Sequence, residues 1–349
     1  MSSYKSFAVT VTGGSHIKHG KGCQDASFKG DSSGMSIAVV ADGHGDDNCF
    51  RSDRGAKFAV ACAAKGIQEF VKYLNEPEEK KFLQKSVPRK KSLSKEELES
   101  QLKERLLRYG IIQAWFKVIA EDCAKNPITE KELESTGEKY RKRFSEGQDL
   151  HHAYGATLIA AAITEEYWFG IHIGDGRFTA LYPDGNFDQP VPWDEKCYLN
   201  VTTSICDDNA FESARSYFSF ITEEKPAPAA VFLCTDGIDD NYPVEANEKH
   251  LFKLYRTIAL TFAEDDDFES TCKQLKDLAD QFATKGKGDD TSIAGFIDMA
   301  ALNQAVPVWK KQVADEEAEA AAEKTSKEEQ KAEKTNHDMP LNDSKGENR

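Results

Sequence analysis

No run of apolar residues in this 349-residue chain approaches the roughly 18 needed to cross a bilayer, so no membrane span is expected. The opening MSSYKSFAVT lacks the basic-then-apolar layout of a secretory signal, which predicts a cytoplasmic protein. Gly at 23 and Pro at 11 show no bias, and this excludes collagen-like and proline-rich classes. None of the 8 cysteines stands in a CxxC pair or at zinc-knuckle spacing, and none begins a Cys-x5-Arg phosphate loop. Several lie in apolar runs such as VFLC at 231–234, where a thiol behaves as a small hydrophobe, so reduced structural cysteines are expected. Positive charge is in deficit: 45 Lys and Arg against 60 Asp and Glu give −15, a surface that repels a polyanion. With no basic, aromatic-interleaved groove either, nucleic-acid binding and a two-metal nuclease are set aside. No internal repeat is present.

What the chain does have is core. At 39% hydrophobic and 30% charged it can bury one large domain. SFAVTVTGG and GMSIAVVADG read as strands, followed by helical spacing from Arg54 to about Tyr73. Residues 75–105 are dense in Lys and Glu. Ser94 with Glu97 makes a capping-box start for a second long helix ending near Asp122, so a charged helical insertion is expected over about 75–125. The 126–150 stretch reads as polar loop with a helical turn or two. GATLIAAAITEEYWFGIHIGDGRFTALYPDG holds three apolar segments with turns at Thr164–Glu166 and Gly174–Gly176, which predicts a meander. VFLCTDG and DDTSIAGFID are further strands around a helical region at 245–283. This order is not a regular βα alternation and favours an α+β sandwich of mostly antiparallel sheets. Composition shifts after about Trp309: residues 313–349 carry eleven acids and six bases, with Val313, Met339 and Leu341 as the only large apolar side chains. A domain over 1–309 is expected, with 310–349 a solvated helix or disordered tail.

Aspartates gather where strands end. In SIAVVADGHG an apolar run enters Asp42-Gly43-His44, and in AVFLCTDG another ends at Asp236-Gly237. In GKGDDTSIAGF, Asp289 and Asp290 precede a strand, and Asp25 in GCQDASF leads into one. If the 291–298 strand runs antiparallel to the others, these carboxylates emerge at one edge. Like charges there cost free energy unless a cation neutralises them. Mg²⁺ or Mn²⁺ favours such oxygen donors, and a glycine after the aspartate lets a backbone carbonyl face the ion. An Asp-Gly pair alone is first a turn signal; the set of four carries the argument.

The ordered series GCQDASF, VVADGHG, GATLIAA with IHIGDGRFTAL, VFLCTDGIDD and KGDDTSIAGF resembles the metal-dependent serine/threonine protein phosphatases of the 2C type, over roughly residues 6–298 and closest to the divergent branch of bacterial sequences. The resemblance implies a four-layer α-β-β-α sandwich and hydrolysis of phosphoserine or phosphothreonine by a metal-activated water at a two-metal site. It implies that Asp42 bridges two Mn²⁺ or Mg²⁺ ions, that Gly43 lends its carbonyl, that Asp236 and Asp289 complete the first site and that Asp25 serves the second. His44 would protonate the leaving oxygen, a task suited to an imidazole. Asp175, in GDGR, would hold loops together rather than bind metal.

Three positions depart from the family pattern. Gln24 stands where many members have a glutamate. The usual phosphate-binding arginine is Gly20 here, leaving Lys18, Lys21 or His16, of which Lys18 is ranked first as near and cationic. An aspartate found in several members three residues before the Gly-Ser-Thr-like motif is His152, which puts in doubt a third metal with Asp240 as a partner. Phosphoprotein substrates and a monomer are expected. The alternative is a catalytically weak phosphoprotein-binding or regulatory module on the same fold.

Overall fold

The computed structural model describes residues 3–32, 34–75, 95–194, 196–197, 201–243, 246–265 and 267–337. Among the described residues, ten strands form two five-stranded sheets. The strands are β1 (Tyr4–Val11), β2 (Ala26–Ser32), β3 (Met35–Ala41), β4 (Leu158–Thr164), β5 (Tyr167–Ile173), β6 (Arg177–Leu181), β7 (Phe187–Val191), β8 (Arg215–Phe220), β9 (Ala230–Cys234) and β10 (Thr291–Asp298). One sheet has the order β1-β10-β9-β6-β7 and the other β2-β3-β4-β5-β8, with all neighbours antiparallel.

Alternation along β3 shows how the layers are made. Ala38 and Val40 enter the core between the sheets with Ile159, Phe178, Leu233 and Phe296. Ile37, Val39 and Ala41 face the other way, into a core shared with the helix α2 (Ser52–Leu74). A central strand covered on both faces has no polar side, which is why its sequence is an unbroken apolar run. α3 follows as three continuous pieces, Lys95–Gln101, a π-helical Leu102–Gln113 and Ala114–Lys125. The other sheet is covered by α4 (Asn247–Glu264) and α5 (Phe268–Lys285), with Phe262 of α4 on Phe7 and Tyr255 on Phe232 at ring separations of 5.5 and 4.7 Å. The order is helix, sheet, sheet, helix, as expected.

The long helix expected to end near Asp122 runs to Lys125, while its Ser94 cap lies outside the described residues. From Leu102 to Ile119 it is no solvated element: Leu102, Leu106, Leu107, Ile111, Trp115 and Ile119 are all buried. Short helices at Glu130–Leu133 and Glu138–Ser145 fill the loop-like stretch after it. The helical region expected around 245–283 holds the two helices α4 and α5.

The meander expected over 158–181 is corrected. β4 and β5 pair, but β6 belongs to the opposite sheet, between β7 and β9. The turn Gly174-Asp175-Gly176 carries the chain across. Gly174 has φ 110°, and a Cβ on Gly176 would lie 2.2 Å from the Cys234 carbonyl oxygen, so only glycines pass. β7 and β8, which the sequence reading missed, extend the sheets at their edges.

Contacts divide the chain into Met1–Ala305 and Val306–Arg349. The helix α6 (Met299–His337) runs through the described part of the second unit, and from Lys310 to Ala322 most of its side chains are exposed. Removing residues 313–349 is expected to leave the melting temperature within a few degrees, since almost no apolar surface is lost. Calorimetry of the truncated chain checks this; a larger drop would show that the segment is held by the domain.

Candidate metal centre

The strand ends of both sheets meet at one edge. Ala26 pairs with Ala41, so Asp25 and Asp42 adjoin across the β2–β3 ladder. Ile293 pairs with Cys234, which brings Asp236 and Asp289 together across β9–β10. The antiparallel condition posed by the sequence is met. Asp42 is fixed by its backbone: its N–H donates to Thr157 Oγ1 at 3.0 Å, and its carbonyl accepts from Thr157 N at 2.7 Å. Next to it, a Cβ on Gly43 would fall 2.6 Å from the Ser52 carbonyl oxygen and 2.7 Å from that of Gln24, so no other residue fits there.

The electrostatics are those of crowded, buried anions. Burial, then the charges of Asp236, Asp25, Asp175 and Asp289, push Asp42 well above the usual carboxylate range. Burial and then Asp175, Asp289 and Asp240 do the same to Asp236. Burial raises Asp289 as well, against a hydrogen bond from Asp290 N. Asp25 is pushed up to about 7, chiefly by burial, while the Thr235 hydroxyl, donating to Oδ2 at 2.8 Å, opposes the shift. Its other oxygen, Oδ1, is buried with no hydrogen-bond partner among the described residues. Such an oxygen is costly unless something else neutralises it. A divalent cation with oxygen ligands fits this donor set.

Proton linkage follows from these shifts. An unfolded aspartate titrates near 3.9. Between about 4 and 7, folded Asp25 therefore keeps a proton that the unfolded chain has released. Its contribution to the stability of the metal-free protein is full below the lower value and is lost as pH rises through the upper one. Urea unfolding in EDTA should show a smaller loss of midpoint between about pH 5 and 8 for Asp25→Asn than for the unaltered chain. Parallel pH dependences would show that the carboxyl is ordinary.

Asp175 was expected to be structural. Its carboxylate shares a hydrogen bond with Thr202 of the loop after β7, and its charge also acts on Asp42, Asp236 and the His44 imidazole. Burial raises its own titration range. The flanking glycine pair was visible in the sequence, but the sheet crossing it carries was not.

Asp290 is a hub beside the centre. It is buried and accepts from Gly13 N at 2.6 Å, Gln24 N at 2.6 Å and His16 Nδ1 at 2.9 Å. This ties the loop before β2 to the start of β10. It also engages His16, one of the three residues considered for phosphate. Lys18 lies exposed on the helix α1 (Gly14–His19), and Lys21 is exposed just beyond it. Gln24 turns toward the His44 segment, with Nε2 donating to Ser52 Oγ at 2.6 Å and to the His44 carbonyl at 3.2 Å. Asp240 is exposed, one turn beyond Asp236.

His44 is placed by its main chain, whose N–H donates to the Gly155 carbonyl at 3.1 Å. A Cβ on Gly155 would meet His44 Cδ2 at 2.8 Å and the Cys206 and Cys49 sulfurs at 3.0 and 3.1 Å, so this wall is tightly packed. Burial lowers the imidazole's titration range, and Asp175, Asp207 and Asp46 oppose that shift. The residue before Gly155, Tyr154, is anchored to the 95–133 region: its hydroxyl donates to Asp122 Oδ2 at 2.6 Å and accepts from Arg51, whose guanidinium also grips both oxygens of Glu132. No sequence pattern announced this network.

Among solved structures, the chain is similar to the serine/threonine phosphatase Stp1 from Staphylococcus aureus, at 12% identity over 84% of this chain and 94% of that one, with a TM-score of 0.45. It is similar to the catalytic domain of the serine threonine protein phosphatase PstP in complex with 2 manganese ions, at 13% identity over 84% and 97%, with a TM-score of 0.42. PppA, a key regulatory component of T6SS in Pseudomonas aeruginosa, is similar at 14% identity over 84% and 97%, with a TM-score of 0.47. Comparison with curated proteins finds no significant match. The sequence pattern of protein phosphatase 2C matches residues 12–282, most of the chain, and on that match the chain belongs to the protein phosphatase 2C family.

Proposed function

We propose that this chain is a divalent-metal-dependent phosphatase acting on phosphoserine and phosphothreonine in proteins. The observation that carries the reading is the edge where Asp25, Asp42, Asp236 and Asp289 crowd together, with titration ranges raised and Asp25 Oδ1 unpaired. Asp42, Asp236 and Asp289, with the Gly43 carbonyl, would hold one ion, and Asp42 and Asp25 a second. When bound, Mn²⁺ or Mg²⁺ supplies polarisation of the phosphoryl group and a water of lowered pKa.

The remaining work falls to the protein. His44, held by the Gly155 carbonyl, gives its proton to the leaving serine or threonine oxygen; burial lowers its titration range, and Asp175 and Asp207 partly offset this in favour of the charged imidazole. The Asp290 hub keeps the loop before β2 in register with β10, so that Asp25 and Asp289 stay on one edge. Lys18, exposed on α1, is the cation assigned to substrate phosphate in place of an arginine, and Asp240 is the side chain assigned to a third ion. Phosphoproteins are the substrates, and the chain acts as a cytoplasmic monomer.

Hydrolysis of 4-nitrophenyl phosphate and of a phosphothreonine peptide, each with Mn²⁺, Mg²⁺ or EDTA, tests the reading. Turnover with Mn²⁺ that vanishes in EDTA is expected. Turnover that persists in EDTA overturns the metal requirement, and none with any metal favours a phosphoprotein-binding module.

A further inference from the structure

A second set of donors, none of them a member of the aspartate edge, converges elsewhere in the fold. His151 and His152 lie on the 3-10 turn Leu150–Tyr154, and Asp208 on the loop that leads to the short helix Ala210–Ser213. One ligand atom from each of the three can be chosen such that all lie within 4.8 Å of one another. Tetrahedral coordination at zinc-ligand bond lengths separates ligand atoms by roughly 3.3 Å, so small side-chain rotations close the gap. Both imidazoles are half-buried and Asp208 is exposed, so the place is reachable from solvent.

The rings are braced. His151 packs on Phe116 at 4.8 Å and on His152 at 4.4 Å, and His152 packs on Tyr140 at 5.6 Å. This packing restrains two adjacent histidines on one side of a tight turn, which lowers the ordering cost of binding an ion between them. Asp207, the neighbouring carboxylate, is already engaged by Ser204 N at 2.8 Å. The charged groups facing the two rings are Asp149, Asp207, Asp208 and Arg143, none of them a member of the aspartate edge.

We propose that His151, His152 and Asp208 form a binding site for a zinc-class transition-metal ion, separate from the carboxylate centre. Two imidazole nitrogens and one carboxylate select a borderline ion such as Zn²⁺, whereas the all-oxygen edge suits Mg²⁺ or Mn²⁺. Three protein ligands leave a fourth position for water. An ion here ties the 204–213 loop to the turn that leads into Gly155, whose carbonyl holds His44. The site stands on its own donors and does not depend on the phosphatase reading.

The test is Zn²⁺ titration of the full chain against a chromophoric chelator, in excess Mg²⁺, for the unaltered protein, His151→Ala, Asp208→Asn and Asp236→Asn. Zn²⁺ affinity at one site is expected to fall at least tenfold in His151→Ala and in Asp208→Asn and to persist in Asp236→Asn. Equal binding by the unaltered chain and Asp208→Asn overturns the proposal, as does loss of all Zn²⁺ binding in Asp236→Asn. Should His151→Ala fail to fold, Asp208→Asn decides alone, because its side chain is exposed and removing its charge leaves the core untouched.

Discussion

Asp236→Asn should abolish Mn²⁺-dependent turnover while making the metal-free protein more stable. The two effects have opposite signs because they come from one charge in two environments. Without cations, burial first and then repulsion from Asp175, Asp289, Asp240 and Asp25 raise the titration range of Asp236. Asn keeps the shape and one acceptor oxygen but removes that repulsion. Each kcal/mol relieved is worth about 2–4 °C in a domain of some 150–250 residues, so a rise of a few degrees in EDTA is expected. With cations, the same substitution deletes an anionic donor. Saturation at 100 times Kd stabilises a folded protein by about 2.7 kcal/mol, so a weakened site gives a smaller rise in melting temperature on adding Mn²⁺. Thermal scans of both proteins with EDTA and with Mn²⁺ separate the two terms. Equal Mn²⁺-induced rises with equal turnover would remove Asp236 from the metal site.

His44→Ala should slow dephosphorylation of a phosphothreonine peptide by ~10²–10⁴-fold, the usual worth of general acid catalysis. The loss on 4-nitrophenyl phosphate should be much smaller, because nitrophenolate leaves without a proton. The contrast matters more than either value. A packing role alone, next to Gly155 and the Cys49 and Cys206 sulfurs, would lower both rates alike. Equal losses on the two substrates would therefore assign His44 to structure and leave the leaving oxygen to be protonated by water.

Much of this protein follows from its sequence. Apolar runs that stop at Asp42-Gly43 and Asp236-Gly237 mark buried strands ending in carboxylates, because an aspartate is not tolerated further into a two-sided core. The ordered motifs named the family, and the Lys- and Glu-rich segment after Trp309 carried the composition of an exposed helix. Tertiary structure decided the rest. A turn of two glycines does not tell whether the next strand stays in its sheet, since a hairpin and a crossing need the same local chain reversal. Only the packing of β6 between β7 and β9 sends it across, and with it Asp175, whose charge bears on Asp42. Likewise Asp289 and Asp290 are alike in sequence, yet the charge of Asp289 bears on Asp42 and Asp236, whereas Asp290 is engaged by Gly13, His16 and Gln24. The partners of His151 and His152 were equally out of view, because Asp208 comes to them from a loop more than fifty residues along the chain, and only the folded chain brings their ligand atoms together.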